Sequence, residues 1–180
     1  LITVCADQVL LVVAQVSQML GLPCYIDYQT AQLVSDKKYM KRIFWENNIP
    51  TSRYVELTEL DWNLIDNLNY PMVVKPVDAY SSRGVRKVWN REELEACFQE
   101  ASQISRTGGV IVEEFVAGDE ISVDVYVENG KAKLLCVSNS EKINDADRFI
   151  IFRGRYPVAA SGEILDQIQC VAQQIADAFG

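Results

Sequence analysis

Histidine is absent from all 180 residues, which removes imidazole zinc ligation and histidine acid–base chemistry together. Cysteine is sparse: Cys5, Cys24, Cys97, Cys136 and Cys170 are scattered, odd in number and without a C-x-x-C spacing. That pattern reads as reduced core thiols of a cytoplasmic protein, against a disulfide or a nucleophile. Long apolar runs are missing too. The longest, Val9 to Val16, is broken by Gln15 and flanked by Gln8 and Ser17. It is too short to span a bilayer, and no basic stretch precedes it as in a signal peptide. Positive charge is in deficit, 17 − 25 = −8, with a pI of about 4.6. A net acidic surface repels nucleic acid and anionic membranes at long range, so neither is expected as a partner. Any anionic ligand must therefore be held by a local basic site.

What remains is ordinary globular material: 49% apolar, 23% charged, mean hydropathy −0.01, enough for one large domain or two small ones. Strand and helix patterns alternate along it. Asp7 predicts a helix cap, with Gly21 as the stop near Leu20 and Pro23 beyond. Asp36 caps a second predicted helix through Asn47, striped by Tyr39, Met40, Ile43 and Phe44 and closed by Pro50. A short strand near Arg53 to Glu56 and a weak helix over Thr58 to Asn67 lead to the buried run Met72-Val73-Val74-Lys75-Pro76. A second strand is expected from Val85 to Trp89. Asn90 with Glu93 makes a capping box for a helix whose face is Leu94, Cys97, Phe98, Ala101 and Ile104.

After Gly108-Gly109 the period falls from 3.6 to 2. Val110 to Val112 reads as a buried strand, and Ile121, Val123, Val125 and Val127 alternate with polar residues on a half-buried one. Asn129-Gly130 is a strong hairpin signal returning into Lys131 to Val137. A polar loop from Ser138 to Arg148, a strand from Phe149 to Phe152 and a last helix begun by Ser161 complete the pattern. The chain starts at Leu1 and stops at Gly180, which reads as a piece cut from a longer polypeptide.

Three segments could carry chemistry. A lysine at the end of a buried strand, Lys75, is costly unless an anion meets it. The turn that follows, Ser81-Ser82-Arg83-Gly84, offers backbone N–H groups, two hydroxyls and a guanidinium to that anion. The pair suits a polyphosphate, although taken alone it reads as well as a surface hairpin with a snorkelling lysine. Neither G-x-x-x-x-G-K-S/T nor G-x-G-x-x-G is present. The second segment is the acidic connector from Glu113 to Glu120, whose backbone could meet an adenine edge while Phe115 and Val116 pack beside the ring. Alone it reads better as an acidic solvated hairpin. The third is Lys37, which sits in a helix first turn against the macrodipole.

In order and spacing, these segments resemble the carbamoyl-phosphate-synthetase-like and D-alanine–D-alanine-ligase-like members of the ATP-grasp superfamily. The resemblance rests on Asp36-Lys37, Tyr70-Pro71 through Lys75-Pro76, the Ser/Gly turn, and Glu113-Glu114-Phe115-Val116 through Gly118, Glu120 and Asp124. It implies an α+β fold of two subdomains with ATP between them. Residues 1–35 would end a preceding α/β domain, 36–109 form the N-terminal subdomain and 110–180 the C-terminal one, cut before the metal-binding strands.

The resemblance further assigns Lys37 and Lys75 to the phosphates, with Lys75 also near the adenine, and Ser81, Ser82, Arg83 and Gly84 to a loop closing over the β- and γ-phosphates. Tyr80 stands where the family often has a small residue. Glu113 would take the adenine amino group, Glu114 and Val116 the backbone edge contacts, and Glu120 the ribose; Lys142 is a further phosphate candidate. Magnesium would be held by carboxylates beyond residue 180, since Asp145 and Asp147 match no metal position. The implied reaction is ATP-dependent joining of a small carboxylate to an amine-type acceptor through an acyl phosphate, with this segment alone inactive. A non-catalytic nucleotide-sensing module is the competing reading, and a homodimer is allowed by either.

Overall fold

The computed structural model describes residues 7–142, 149 and 151–180. A short 3-10 turn, Asp7–Val9, runs into helix α1 (Leu10–Leu20). Gly21 ends that helix at φ 61°, its N–H bonded to the Gln18 carbonyl at 3.3 Å. Helix α2 (Tyr28–Ser35) was not expected from the sequence. Asp27 caps it, accepting from Thr30 N at 2.9 Å and Thr30 Oγ1 at 2.8 Å. Helix α3 (Lys37–Glu46) begins at the predicted cap, Asp36, which accepts from Lys38 N at 2.9 Å.

The first sheet has the order β1 (Tyr54–Leu57), β4 (Val110–Glu114), β2 (Met72–Pro76), β3 (Arg86–Val88), antiparallel throughout. The weak helix expected before β2 is a single turn, α4 (Trp62–Ile65), capped by Asp61. Period-2 alternation divides the sheet's faces. Met72 and Val74 of β2 join Val110 and Val112 of β4 in the core. Helix α5 (Arg91–Ile104) covers that face with Leu94, Phe98 and Ala101. The capping box forms as read: Glu93 N donates to Asn90 Oδ1 at 2.9 Å, and Glu93 Oε2 accepts from Trp89 N at 2.8 Å. Leu94 is fully buried. Leu94→Ala should cost about 3 kcal/mol of unfolding free energy, measured by urea titration, because the cavity lies between a helix and a sheet that cannot both collapse into it.

The second sheet is β5 (Ile121–Glu128), β6 (Lys131–Lys142), β7 (Ile151–Arg155) in that order. Asn129 and Gly130 both take positive φ, 51° and 72°, as a tight hairpin turn demands. Helix α6 (Gly162–Phe179), capped by Ser161, grips the hairpin through two glutamines. Gln169 Nε2 donates to the Ala132 carbonyl at 2.9 Å, and Gln173 bridges Ala132 N (3.0 Å) and the Gly130 carbonyl (2.8 Å). Phe179 meets Phe44 of α3 edge-on, with ring centres 6.1 Å apart.

Two expectations change. The break at Gly108-Gly109 does not divide the sheets: β4 is an interior strand of the first one, pairing with β1 and β2 together. Its apolar run, buried on both faces, can only sit inside a sheet; the changeover falls in 115–120. The polar loop expected from Ser138 is instead strand through Lys142, where β6 pairs with β5 on one side and β7 on the other. Pairing of Ser138 and Asn139 with β5, and of Asn139 to Lys142 with β7, overrides the poor strand propensity of this stretch. The last strand correspondingly runs Ile151–Arg155, later than Phe149 to Phe152. The rest of the expected loop, with Asp145 and Asp147, lies outside the described residues.

Candidate functional site

A cleft of about 800 Å³ opens between the two sheets. Its floor is the face of the first sheet turned away from α5. Val73 and Lys75 of β2 reach it by alternation with the core residues Met72 and Val74, as does Glu113 of β4. The register puts Val73 opposite Glu113 and Lys75 opposite Ile111, so Lys75 and Glu113 are diagonal neighbours on one face. They form an ion pair, with side chains only 17% and 12% exposed.

Helix α3 supplies the next two cations. Lys37 and Lys41 are four residues apart, hence on one helix face. The backbone N–H of Lys37 bonds the Val77 carbonyl at 3.0 Å, docking the helix start against the end of β2, and its ammonium donates to the Ala79 carbonyl. Lys41 Nζ lies 2.6 Å from Glu113 Oε2 and donates to Thr51 Oγ1 and Ser52 Oγ, both at 2.7 Å. Burial pushes both lysines below the usual ammonium pKa; the Lys75 charge acts the same way on each, and for Lys41 the Glu113 carboxylate opposes it. For Glu113 burial alone would raise the pKa, but Lys75 and Lys41 outweigh it and hold the carboxyl below its ordinary value. Lys37, Lys41 and Lys75 thus converge on Glu113, with Asp36 and Asp78 acting on Lys37 from its other sides, on a chain that carries −8.

The Ser/Gly turn forms the lip. Ser81 and Ser82 line the cleft and both adopt left-handed backbone, φ 56° and 55°. Arg83 is exposed and outside the lining, while Gly84 is buried beneath it. A Cβ on Gly84 would stand 2.8 Å from Ile104 Cδ1 and 2.9 Å from Pro76 Cγ, so this glycine serves close packing as well as its φ of 73°. Tyr80 also lines the cleft, and its hydroxyl donates to the Ser35 carbonyl at 3.2 Å, tethering the turn to the end of α2.

The acidic connector makes the opposite wall. Glu114 lines the cleft, yet its carboxylate is engaged by Arg53 Nη1 (3.1 Å), Asn69 N (2.9 Å) and Asn69 Nδ2 (2.8 Å). Glu114 N–H goes to the Arg53 carbonyl and Phe115 N–H to the Pro71 carbonyl, so the next N–H along the connector is that of Val116. Val116 is 72% exposed. The Phe115 ring carries Lys87 Nζ at 3.5 Å and lies 6.3 Å from the Phe149 ring. Glu120 Oε2 meets Lys142 Nζ at 2.5 Å, joining the connector to the end of β6. The structure thus gathers Lys37, Lys75, Ser81, Ser82, Glu113, Glu114, Phe115, Val116, Glu120 and Lys142 around one cleft and leaves Arg83 and Gly84 outside it. Lys41, Thr51 and Ser52 had not been singled out; the i+4 spacing from Lys37 was the one available signal.

Among the described residues no group of three or more Asp, Glu, His or Cys side chains could hold a metal ion.

Two antiparallel sheets with a cleft between them, its floor carrying a cluster of lysines around one buried carboxylate, match the fold of ATP-grasp ligases. The family model for the D-ala D-ala ligase C-terminus matches residues 43–178, and the chain belongs to that family. Among relatives, it is 34% identical over 145 residues to a D-alanine–D-alanine ligase of Solibacter usitatus, covering 76% of this chain and 44% of that one. With the enzyme of Clostridium beijerinckii it is 30% identical over 161 residues, 87% of this chain and 50% of the relative. The chain spans about half the length of these relatives. Among solved structures, VanG D-Ala:D-Ser ligase from Enterococcus faecalis superposes with a TM-score of 0.82 at 24% identity, over 93% of this chain and 52% of that one. D-alanine–D-alanine ligase from Bacillus anthracis complexed with ATP gives 0.76 at 21% identity, over 93% and 54%. No helix among the described residues is long and apolar enough to cross a membrane.

Proposed function

We propose that the cleft binds ATP and that the chain is the nucleotide-binding part of an ATP-dependent ligase joining a small carboxylate to an amine. The observation that carries this is the convergence of Lys37, Lys75, Glu113 and Glu120 on one cleft between two sheets. The ATP complex of the B. anthracis structure supports it, as do the ligase names of the relatives.

Lys37 and Lys75 neutralise phosphate oxygens, in a site whose shielding from water strengthens each contact. Glu113 accepts from the adenine amino group. The Glu114 carbonyl and Val116 N–H meet the ring edge, and Glu120 accepts from ribose hydroxyls once released from Lys142, which then turns to phosphate. Ser81 and Ser82 close over the phosphates from the lip. In the full reaction a substrate carboxylate oxygen attacks the γ-phosphorus, the bond to the β-bridging oxygen breaks and ADP leaves. An amine nitrogen then attacks the acyl carbon, phosphate departs with the electron pair, and the amine loses its proton. The side chains lining the cleft do the binding and positioning. A cytoplasmic setting is consistent with the absence of disulfides at Cys24, Cys136 and Cys170.

A thermal-shift comparison of ATP, ADP, GTP and NADH tests the reading. ATP and ADP should raise Tm at concentrations where GTP and NADH do little, since a hundredfold excess over Kd adds about 2.7 kcal/mol to stability. Equal shifts for all four, or none, would overturn it.

A further inference from the structure

Lys41 lines the cleft beside the phosphate-facing lysines, but its bonding differs from theirs. An ammonium has three protons. Those of Lys41 are matched by Thr51 Oγ1 at 2.7 Å, Ser52 Oγ at 2.7 Å and Glu113 Oε2 at 2.6 Å. Ser52 Oγ in turn donates to Glu113 Oε2 at 3.0 Å, closing a ring of three groups. The Tyr54 ring lies 5.2 Å from the ammonium, and the Lys41 side chain is 12% exposed. A lysine so fully engaged reaches a phosphate only by abandoning a buried partner.

Glu113 completes the count. A carboxylate offers about four acceptor positions, two on each oxygen. Oε2 takes Lys41 and Ser52, while Oε1 takes Lys75. One position therefore remains, on Oε1. An acceptor-only group there welcomes an amino hydrogen and repels a carbonyl oxygen.

We infer that Lys41 is a positioning residue for base selection: with Ser52 it pins Oε2 of Glu113, so that Oε1 is left to accept from the amino group of a 6-aminopurine. The inference rests on the nucleotide reading above. Lys41 acts through Glu113 and touches no ligand itself. The charged groups facing Glu113 are Lys37 and Lys41 from α3 and Lys75 from β2, with Ser52 and Tyr54 on the β1 side. Without Lys41, burial of the carboxyl is opposed mainly by Lys75, and the Glu113 pKa moves up from its depressed value. Once protonated it can donate, and then a 6-oxopurine is no longer repelled.

The test measures Kd for ATP and for inosine triphosphate, which carries a 6-oxo group, between pH ~6 and pH ~8. Wild type should prefer ATP by about 10- to 100-fold, the worth of one charge-assisted hydrogen bond, with little change over that range. In Lys41→Met the ratio should fall to within about threefold at the acid end and recover partly at the alkaline end, and Lys41→Arg should restore it. A purely structural lysine would lower Tm yet leave the ratio and its pH profile as in wild type, and that outcome overturns the inference. Should Lys41→Met fail to fold, Ser52→Ala decides: a reduced ratio supports the inference and an unchanged one refutes it. A wild-type chain that binds no ATP refutes the nucleotide reading itself, a result distinct from a preserved ratio in Lys41→Met.

Discussion

Lys75→Met should weaken ATP binding by about 10- to 100-fold while the chain still unfolds cooperatively. Methionine keeps the length and the apolar stem of lysine, so Val73, Val74 and Pro76 keep their packing on β2. What is lost is a charge 17% exposed at the floor of the cleft, where water screens it poorly. A hydrogen bond to a charged group is worth about 1.5–3 kcal/mol, which sets the expected range. Glu113 keeps Lys41 and Ser52 as partners, so the cost in stability should stay near 1–2 kcal/mol. Calorimetric titration with ATP and with adenosine separates the contributions. If Lys75 serves the phosphates, adenosine affinity should move by less than about threefold. An equal loss for both ligands would place Lys75 at the base, and no loss for either would remove it from the site.

The parts of this fold that could be read ahead of the structure are those whose chemistry is local. Asn90 with Glu93, the Leu94–Phe98–Ala101 stripe and Asn129-Gly130 each contain their own explanation within a few residues. Asp27 and Thr30 carry the same kind of signal for α2, but eight residues with a thin apolar stripe were too few to stand out. The sheet positions of β4 and the last turn of β6 were not local. Val110–Glu114 is interior because β1 and β2 flank it, and Ser138 to Lys142 extend because β5 pairs as far as Asn139 and β7 from Asn139 onward. The site divides in the same way. Lys75 and Glu113 showed themselves as charges at the ends of apolar runs. The engagement of Glu113 by Ser52, 61 residues away, and by Lys75, 38 away, left no trace in either neighbourhood. Gly84 reads only as part of a phosphate loop, and its close approach to Pro76 and Ile104 left no trace in the sequence around it.

Glu113→Ala should be among the most destabilising single changes in the chain, by about 3–5 kcal/mol. Removing one partner of a buried ion pair leaves its charge uncompensated, and here two ammonium groups are stranded together. At roughly 2–4 °C per kcal/mol for a chain of this size, Tm should fall by about 10 °C. Glu113→Gln keeps the shape and a hydrogen-bonding carbonyl, so it should lose about half as much. The pH dependence separates charge from packing. Lys75 and Lys41 hold the folded-state pKa of Glu113 below its unfolded value. The unfolded chain therefore binds more protons in acid, and the contribution of Glu113 is fully present above an ordinary glutamate value near 4.5. It is lost as pH falls through the folded-state value. Urea titrations at pH ~7, ~5 and ~3.5 should accordingly show the wild-type advantage over Glu113→Ala whole at the first two and shrunken at the third. An advantage that stays constant into acid would trace the loss to the cavity. One smaller than about 1 kcal/mol at pH ~7 would mean that water screens the cluster, and that the floor of the cleft is wetter than its burial implies.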